Sequence, residues 1–338
     1  MTRKLTKLSF LVFGLLLLLA ACGGEEKDTA TNATASDGGT ESAQTDEAKT
    51  FKIGTTQIVE HPSLDAAKEG FKKAIEDAGI KAEYVDKSAN GDNSANMTIA
   101  QQLVSDNVDL IFANSTPSAQ AAKGATADIP IIFTSVTDAV GAELIESMAT
   151  PGANVTGTID LHPETMPKTM AFLKELGVKN VGMVYNAGEQ NSVAQITTAK
   201  ELASKEGITI VEASASTSAE VKQATESLLG KVEAYYIITD NTVVNALESV
   251  IDVANANKLP LIVGELDSVA RGGLAAYGFN YYDIGYEAGQ MAAQILLEGK
   301  SPSEIPAAYP ANLKLVINKE TAENLGLEVK PEWEAEVQ

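Results

Sequence analysis

The sequence predicts an α/β protein built as two Rossmann-like lobes with parallel sheets. Three observations carry that reading. Strand-like and helix-like segments alternate with little interruption from Phe51 onward, the alternation restarts at Asn180, and short polar residues follow almost every strand. Alternation of this kind places helices on both faces of a parallel sheet. At 338 residues the chain has the length of about two domains, and 44% hydrophobic against 21% charged residues gives it material for cores. A wholly disordered, collagenous or coiled-coil protein is excluded.

The first residues differ from all that follow. Arg3, Lys4 and Lys7 open the chain without an acid, an apolar run covers 8–19, and Leu19-Ala20-Ala21-Cys22 comes next. A basic start, a short apolar run and small residues at its end describe a secretory signal over 1–21; a spanning helix needs about 20 apolar residues. Cys22 is the chain's single cysteine, and it stands where a bacterial lipoprotein signal places the residue that is lipidated. This end therefore resembles a lipoprotein signal, with an ordinary signal peptide or a short anchor as the alternative. A lipid on Cys22 would hold the protein at the extracytoplasmic face of the cell membrane. Residues 23–50 contain no aromatic, Leu, Ile, Val or Met, so 22–50 reads as the lipidated cysteine and a disordered acidic tether with roughly 30 Å of reach.

In the globular part, 51–55 reads as a strand and 64–78 as a helix stopped by Gly79. A short strand at 82–85, a helix at 95–104 and a buried strand at 109–113 follow. The next helix opens at Ser115-Thr116-Pro117, where a hydroxyl suits the N-cap and proline suits the first turn. Residues 129–133 form a further strand. The second unit reads as strand 180–185, helix 192–205, strand 208–212, helix 220–229, strand 234–238, helix 242–256, and strands 259–263 and 274–279. A helix over 282–297 and a strand near 313–317 cross back between the units. The expected lobes are 51–157 with about 281–306, and 158–280 with about 312–330, followed by a tail at 331–338. The three crossovers fall near 157–161, near Asn280 and near 307–312.

A parallel sheet presents ligands at the carboxyl ends of its strands. The residues there are Gln57, Ser115, Thr116, Ser135, Thr137 and Asp138 in the first unit, and Glu189, Asn191, Asp240, Asn241 and Glu265 in the second. Loop and cap preferences account for about half of them. They do not require acids on one unit facing hydroxyl-rich helix starts on the other. A helix start suits a carboxylate, whereas Asp240, with Glu189 and Glu265 in reserve, suits an ammonium. Together they suit a zwitterion. The ligand carboxylate is expected at Ser115 and Thr116, with help from Thr137.

Composition and motifs narrow the chemistry. There are 46 acidic and 25 basic side chains, a net charge of −21, and removing 1–21 takes away three positive charges and leaves −24. Such a surface repels nucleic acid. One cysteine and two histidines assemble no usual zinc site. No Gly-x-Gly-x-x-Gly or Gly-x-Ser-x-Gly occurs, and Gln294 stands where a phosphate loop ending at Gly299-Lys300-Ser301 needs glycine. His61 and His162 each precede proline; either could line a cleft, but without catalytic partners both read as surface or turn residues. Trp333 reads as a packing anchor for the tail. Tyr281 and Tyr282 stand either at the cleft mouth or at an ordinary strand-to-helix junction.

Specific strings carry a family resemblance. They are Ile53-Gly-Thr-Thr-Gln-Ile-Val-Glu-His-Pro62, Leu64-Asp-Ala-Ala-Lys-Glu-Gly-Phe71, Phe133-Thr-Ser-Val-Thr-Asp138, Asn154-Val-Thr-Gly157 and Thr239-Asp-Asn-Thr-Val243. With the signal, Cys22 and the tether, they resemble an ABC-transporter substrate-binding lipoprotein of the type I periplasmic-binding-protein fold, in the tryptophan/tyrosine-binding family. The resemblance covers 51–330; it departs at Ala139, where relatives often carry proline. It implies a protein that is no enzyme, needs no cofactor or metal, and works as a monomer. It captures a small zwitterionic solute, an aromatic amino acid, between closing lobes and delivers it to permease and ATPase subunits. A ligand sensor or adhesin on the same fold, or an extracellular hydrolase using Asp240 and Glu265, are the alternatives.

Overall fold

The computed structural model describes residues 49–338; the signal, Cys22 and all but the end of the tether lie outside the described residues. The first sheet holds β1 (Thr50–Gln57), β2 (Lys81–Ser88), β3 (Leu110–Asn114), β4 (Ile131–Val136) and β5 (Val155–Ile159), in the order β2-β1-β3-β4-β5. All its pairings are parallel. Every residue of β3, β4 and β5 is buried, as expected of strands covered on both faces. The helices α1 (Pro62–Asp77), α2 (Ala95–Ser105) and α3 (Thr116–Ala125) cover it. Ser115 caps α3 through its hydroxyl and Pro117 lies in the first turn, as the sequence predicts.

The second lobe opens with α4 (Thr165–Glu175) and β6 (Asn180–Tyr185), then α5 (Gln190–Glu206), β7 (Thr209–Ser214), α6 (Val221–Glu226) and β8 (Ala234–Ile237). It continues with α7 (Asn241–Val244), α8 (Leu247–Ala256), β9 (Leu261–Val263), α9 (Leu266–Arg271) and β10 (Ala275–Gly278). The chain then runs through α10 (Tyr281–Glu298), β11 (Lys314–Ile317), α11 (Lys319–Leu325) and β12 (Glu336–Val337). The second sheet is ordered β12-β11-β10-β9-β8-β6-β7. It is parallel except between β10 and β11, because the chain enters β11 from the opposite end after visiting the first lobe.

Three segments link the sheets. One follows Ile159, one lies between Gly278 and Tyr281, and one lies between Ala308, which bridges to Thr158, and Lys314. Several local expectations change. The single helix expected over 242–256 is broken at Asn245 and Ala246: Ala246 leaves helical geometry, the Asn245 amide donates to Ser218, and Leu247 turns fully into the core. The helix over 220–229 shortens to α6 after a 3-10 turn. The tail is stitched to β11 as β12, and Trp333 packs edge-on against Phe172 at 5.1 Å.

The helix pair α1 and α10 shows how tightly the first lobe is closed. A Cβ on Gly285 would meet the Ala67 carbonyl oxygen at 1.9 Å, and one on Gly70 would meet the Tyr282 oxygen at 2.1 Å. Backbone meets backbone there, so the pair has no room to yield. Gly285→Ala is therefore expected to destabilise the fold by about 1–3 kcal/mol, read as a lower denaturant midpoint. An unchanged midpoint would show that the helices part freely.

Candidate functional site

The carboxyl ends of β1, β3, β4 and β5 face those of β6, β8 and β9 across the gap between the lobes. A small chamber of about 30 Å³ lies there, lined among others by His61, Ser63, Ser135, Thr137, Asp160, Asn191, Thr239, Asn241, Glu265 and Tyr281. That volume suits about two waters, so a larger ligand enters only when the lobes part. The lobes are closed. Ser63, in the first turn of α1, presents its hydroxyl to Asp267 at 2.6 Å and Glu265 at 3.0 Å in the other lobe. Arg271 Nη1 lies 2.7 Å from His61 Nε2 while its fork grips Glu248.

His61 is a turn residue that lines the cleft and not a surface one: it is 5% exposed and stands at the N-cap position of α1 at the seam. Burial lowers its pKa, which keeps the ring neutral. A neutral imidazole has one acceptor nitrogen. Arg271 can only donate, and its short contact claims Nε2 as the acceptor; the proton then sits on Nδ1, and the Ser63 N–H 3.3 Å away makes no hydrogen bond to the ring.

Asp160 is the centre of the chamber's electrostatics. It directly follows β5, and it accepts from Tyr281 OH at 2.8 Å and Thr137 Oγ1 at 3.1 Å. Among the described residues no cation pairs with it, and the chamber's lining holds no lysine or arginine. Burial pushes its pKa up to about 6, with the Glu265 charge adding to the effect. A raised carboxylate pKa gives stability that is present below the unfolded value and lost as pH rises through about 6. The chamber's side chains thus hold Asp160 at a cost near neutral pH, and a cation would relieve it.

Two further groups have unmet needs. Ser135 Oγ is buried without a partner, and its backbone sits at φ +55° where the β4–β5 register shifts. Strain of this kind in a serine costs about 1–3 kcal/mol and clusters at binding sites. Asn191 Oδ1 is also buried without a partner, while its amide nitrogen is committed to Glu189, Ser192 and Thr239. One hydroxyl and one carbonyl therefore stand ready for a ligand.

Of the residues expected from sequence, Ser135, Thr137, Asn191, Asn241 and Glu265 line the chamber. Asp138 lines a neighbouring cavity and caps its own turn through Gly141 N. The others lie outside the chamber's lining. Asp240, expected to face an ammonium at the cleft mouth, is wholly buried and spent on Asn186 N, Ser192 Oγ and Val243 N. Burial and the adjacent Glu189 charge push its pKa upward. Glu189 in turn accepts from Asn241 and Thr242, pinning the start of α7. Ser115 is consumed by Ser118, and Gln57 by Val59, Asp65 and Asn114. Thr116 is buried beside them, outside the chamber's lining. The sequence reading placed Thr239 with its neighbours at a strand end, and it missed Asp160 and Ser63, which also line the chamber. Asp160 follows a strand like the others, and reading β5 as a strand would have found it.

Two α/β lobes linked by three passages and closed over a polar chamber define a type I periplasmic binding protein. The chain belongs to the family of ABC transporter substrate binding proteins, which matches residues 52–335, and it is such a transporter's substrate-binding protein. It is 42% identical to a tyrosine-binding protein of Clostridioides difficile, over 95% of this chain and 92% of that one. An ABC domain from Streptococcus pneumonia in complex with L-Trp is 30% identical, covers 86% of this chain and 100% of its own, and superposes with a TM-score of 0.82. The ligand-free, open structure of a substrate-binding protein with adhesive properties from Clostridium difficile is 41% identical over 85% and 99% of the two chains. Its TM-score is only 0.65. Superposing worse on a more similar but open chain agrees with the cross-lobe bonds: the lobes here are shut.

Arg271→Ala removes the side chain that reaches His61 across the seam. Small-angle scattering of the ligand-free variant is expected to give a larger radius of gyration than wild type. An identical radius would show that the seam contacts follow closure without contributing to it.

Proposed function

We propose that this protein binds an aromatic amino acid, tyrosine or tryptophan, and that Asp160 receives its ammonium group. The observation that carries this is a buried carboxylate facing the chamber with two neutral donors and, among the described residues, no cation. Asn191 Oδ1 supplies a second acceptor for the ammonium, and Ser135 Oγ a donor for the carboxylate. Leu64, Val244 and Tyr281 offer apolar surface to a ring. The two named relatives that bind tyrosine and L-Trp support the same ligand class. Capture and release need no bond to be made or broken, so the hydrolase alternative has no role for Asp240, which is sealed in the core. A sensor or adhesin would use the same chamber with another partner; the family assignment favours the permease and ATPase of an importer.

The ammonium reading fixes a pH dependence. Ligand binds ionised Asp160, so affinity falls as pH drops through about 6. Calorimetric titration with L-tyrosine is expected to give roughly tenfold weaker binding at pH 5 than at pH 7.5. Asp160→Asn should weaken binding by about 2–5 kcal/mol and abolish the pH dependence. Unaltered affinity in that variant removes Asp160 from the site.

The sequence supports extracytoplasmic attachment through a lipid on Cys22, by the signal-like 1–21 and the polar tether. Cys22→Ala is expected to move the protein from the membrane to the soluble extracytoplasmic fraction or the medium. Membrane partitioning identical to wild type would rule the lipid anchor out.

A further inference from the structure

A second, larger cavity of about 430 Å³ adjoins the chamber on the side of the first and third linking segments. Its walls come from both lobes and from those segments: Met148 from the first lobe, Leu161 from the link after β5, and Met166 and Leu202 from α4 and α5. It shares Thr137 with the polar chamber, and Gln195 lines it beside that residue. Gln195 is 2% exposed, and its amide donates to Thr239 Oγ1 at 2.9 Å and to Thr137 Oγ1 at 3.5 Å. Helix α5 serves both spaces: Asn191 lines the chamber, while Gln195 one turn later and Leu202 line the cavity.

The chemistry of the cavity differs from that of the chamber. Its lining holds no lysine or arginine; the Asp138 carboxylate is tied to Gly141 N, and His162 Nδ1 accepts from Glu164 N. An anion placed there would lose water without gaining a cationic partner. Two thioethers and aliphatic walls suit a flat aromatic body, since sulfur packs favourably at ring edges. The cavity is open at its edge, where Val140 and Tyr309 are half exposed, so its apolar wall faces water unless something covers it.

We propose that this cavity is a second binding site, for a neutral aromatic molecule of one or two fused rings, and that its occupant favours the closed lobes. The occupant touches both lobes and two linking segments at once, and opening would strip half of its walls away. Any ligand that contacts both lobes only when they are shut shifts the equilibrium toward closure. By linkage, it then tightens binding in the polar chamber, and the chamber's ligand tightens binding here.

The test uses indole as the probe, on the full protein freed of bound small molecules. Indole is expected to bind saturably and one to one, to remain bound at saturating L-tyrosine, and to tighten tyrosine binding roughly fivefold or more. Leu202→Trp fills the cavity and is expected to abolish indole binding. Thr198→Trp, from an exposed position at the cavity's edge, does the same without disturbing the core should the first variant fail to fold. Displacement of indole by tyrosine, absence of saturable binding at millimolar indole, indole binding unchanged in the filled variants, or an unaltered tyrosine affinity each overturns the proposal. The tyrosine coupling rests on the ligand class proposed above. Failure of wild type to bind tyrosine at all would strike that reading, while indole binding lost on filling the cavity is read independently of it.

Discussion

The carboxylate of Asp160 is withheld from water and left with hydroxyls in place of a cation, and the cleft is organised around that debt. Moving an ionised carboxylate into a dry interior costs several kcal/mol unless charge or hydrogen bonds compensate. Here Tyr281 and Thr137 compensate in part. Tyr281 opens α10 at the second link between the sheets, and Asp160 itself lies on the first. The same group therefore ties together the segments about which the lobes turn and creates the demand that a positively charged ligand meets. Site chemistry and domain motion share one atom group.

Closure follows from contacts that exist only when the lobes meet. Ser63 against Asp267, and His61 against Arg271, join helix starts of opposite lobes. Arg271 reaches the seam already held by Glu248 and by the Val244 carbonyl, so little side-chain freedom is lost when it docks. These bonds join the lobes, yet none of them reaches Asp160. A ligand changes the balance only through interactions it makes with both lobes at once, and the chamber presents Asp160 and Ser135 from one side and Asn191 from the other.

The two-lobed α/β fold was legible because strands buried on both faces, such as β3 and β4, read as continuous apolar runs ended by polar residues. The strand-end rule also reached Ser135, Thr137, Asn191, Asn241 and Glu265, since local position in a parallel sheet decides which residues meet the cleft. It failed at β5, whose Val155-Thr-Gly-Thr-Ile159 has no apolar run and carries the glycine that lets it approach Phe133 closely. Asp160 was lost with it. The opposite error fell on Asp240. Its place after a strand is the same as that of Glu265, but whether a carboxylate faces ligand or core depends on donors brought from elsewhere, here Asn186 and Ser192. Sequence order does not display such long-range satisfaction. The break between α7 and α8 is likewise set by tertiary burial of Leu247, which overrides local helix preference.

The most direct measurement is the position of the ligand's nitrogen in a crystal structure of the protein with L-tyrosine. The account predicts an ammonium nitrogen at about 2.7–2.9 Å from an Asp160 carboxylate oxygen, with Asn191 Oδ1 as a second acceptor. An ammonium seated away from Asp160, with that carboxylate still bonded only to Tyr281 and Thr137, would contradict it.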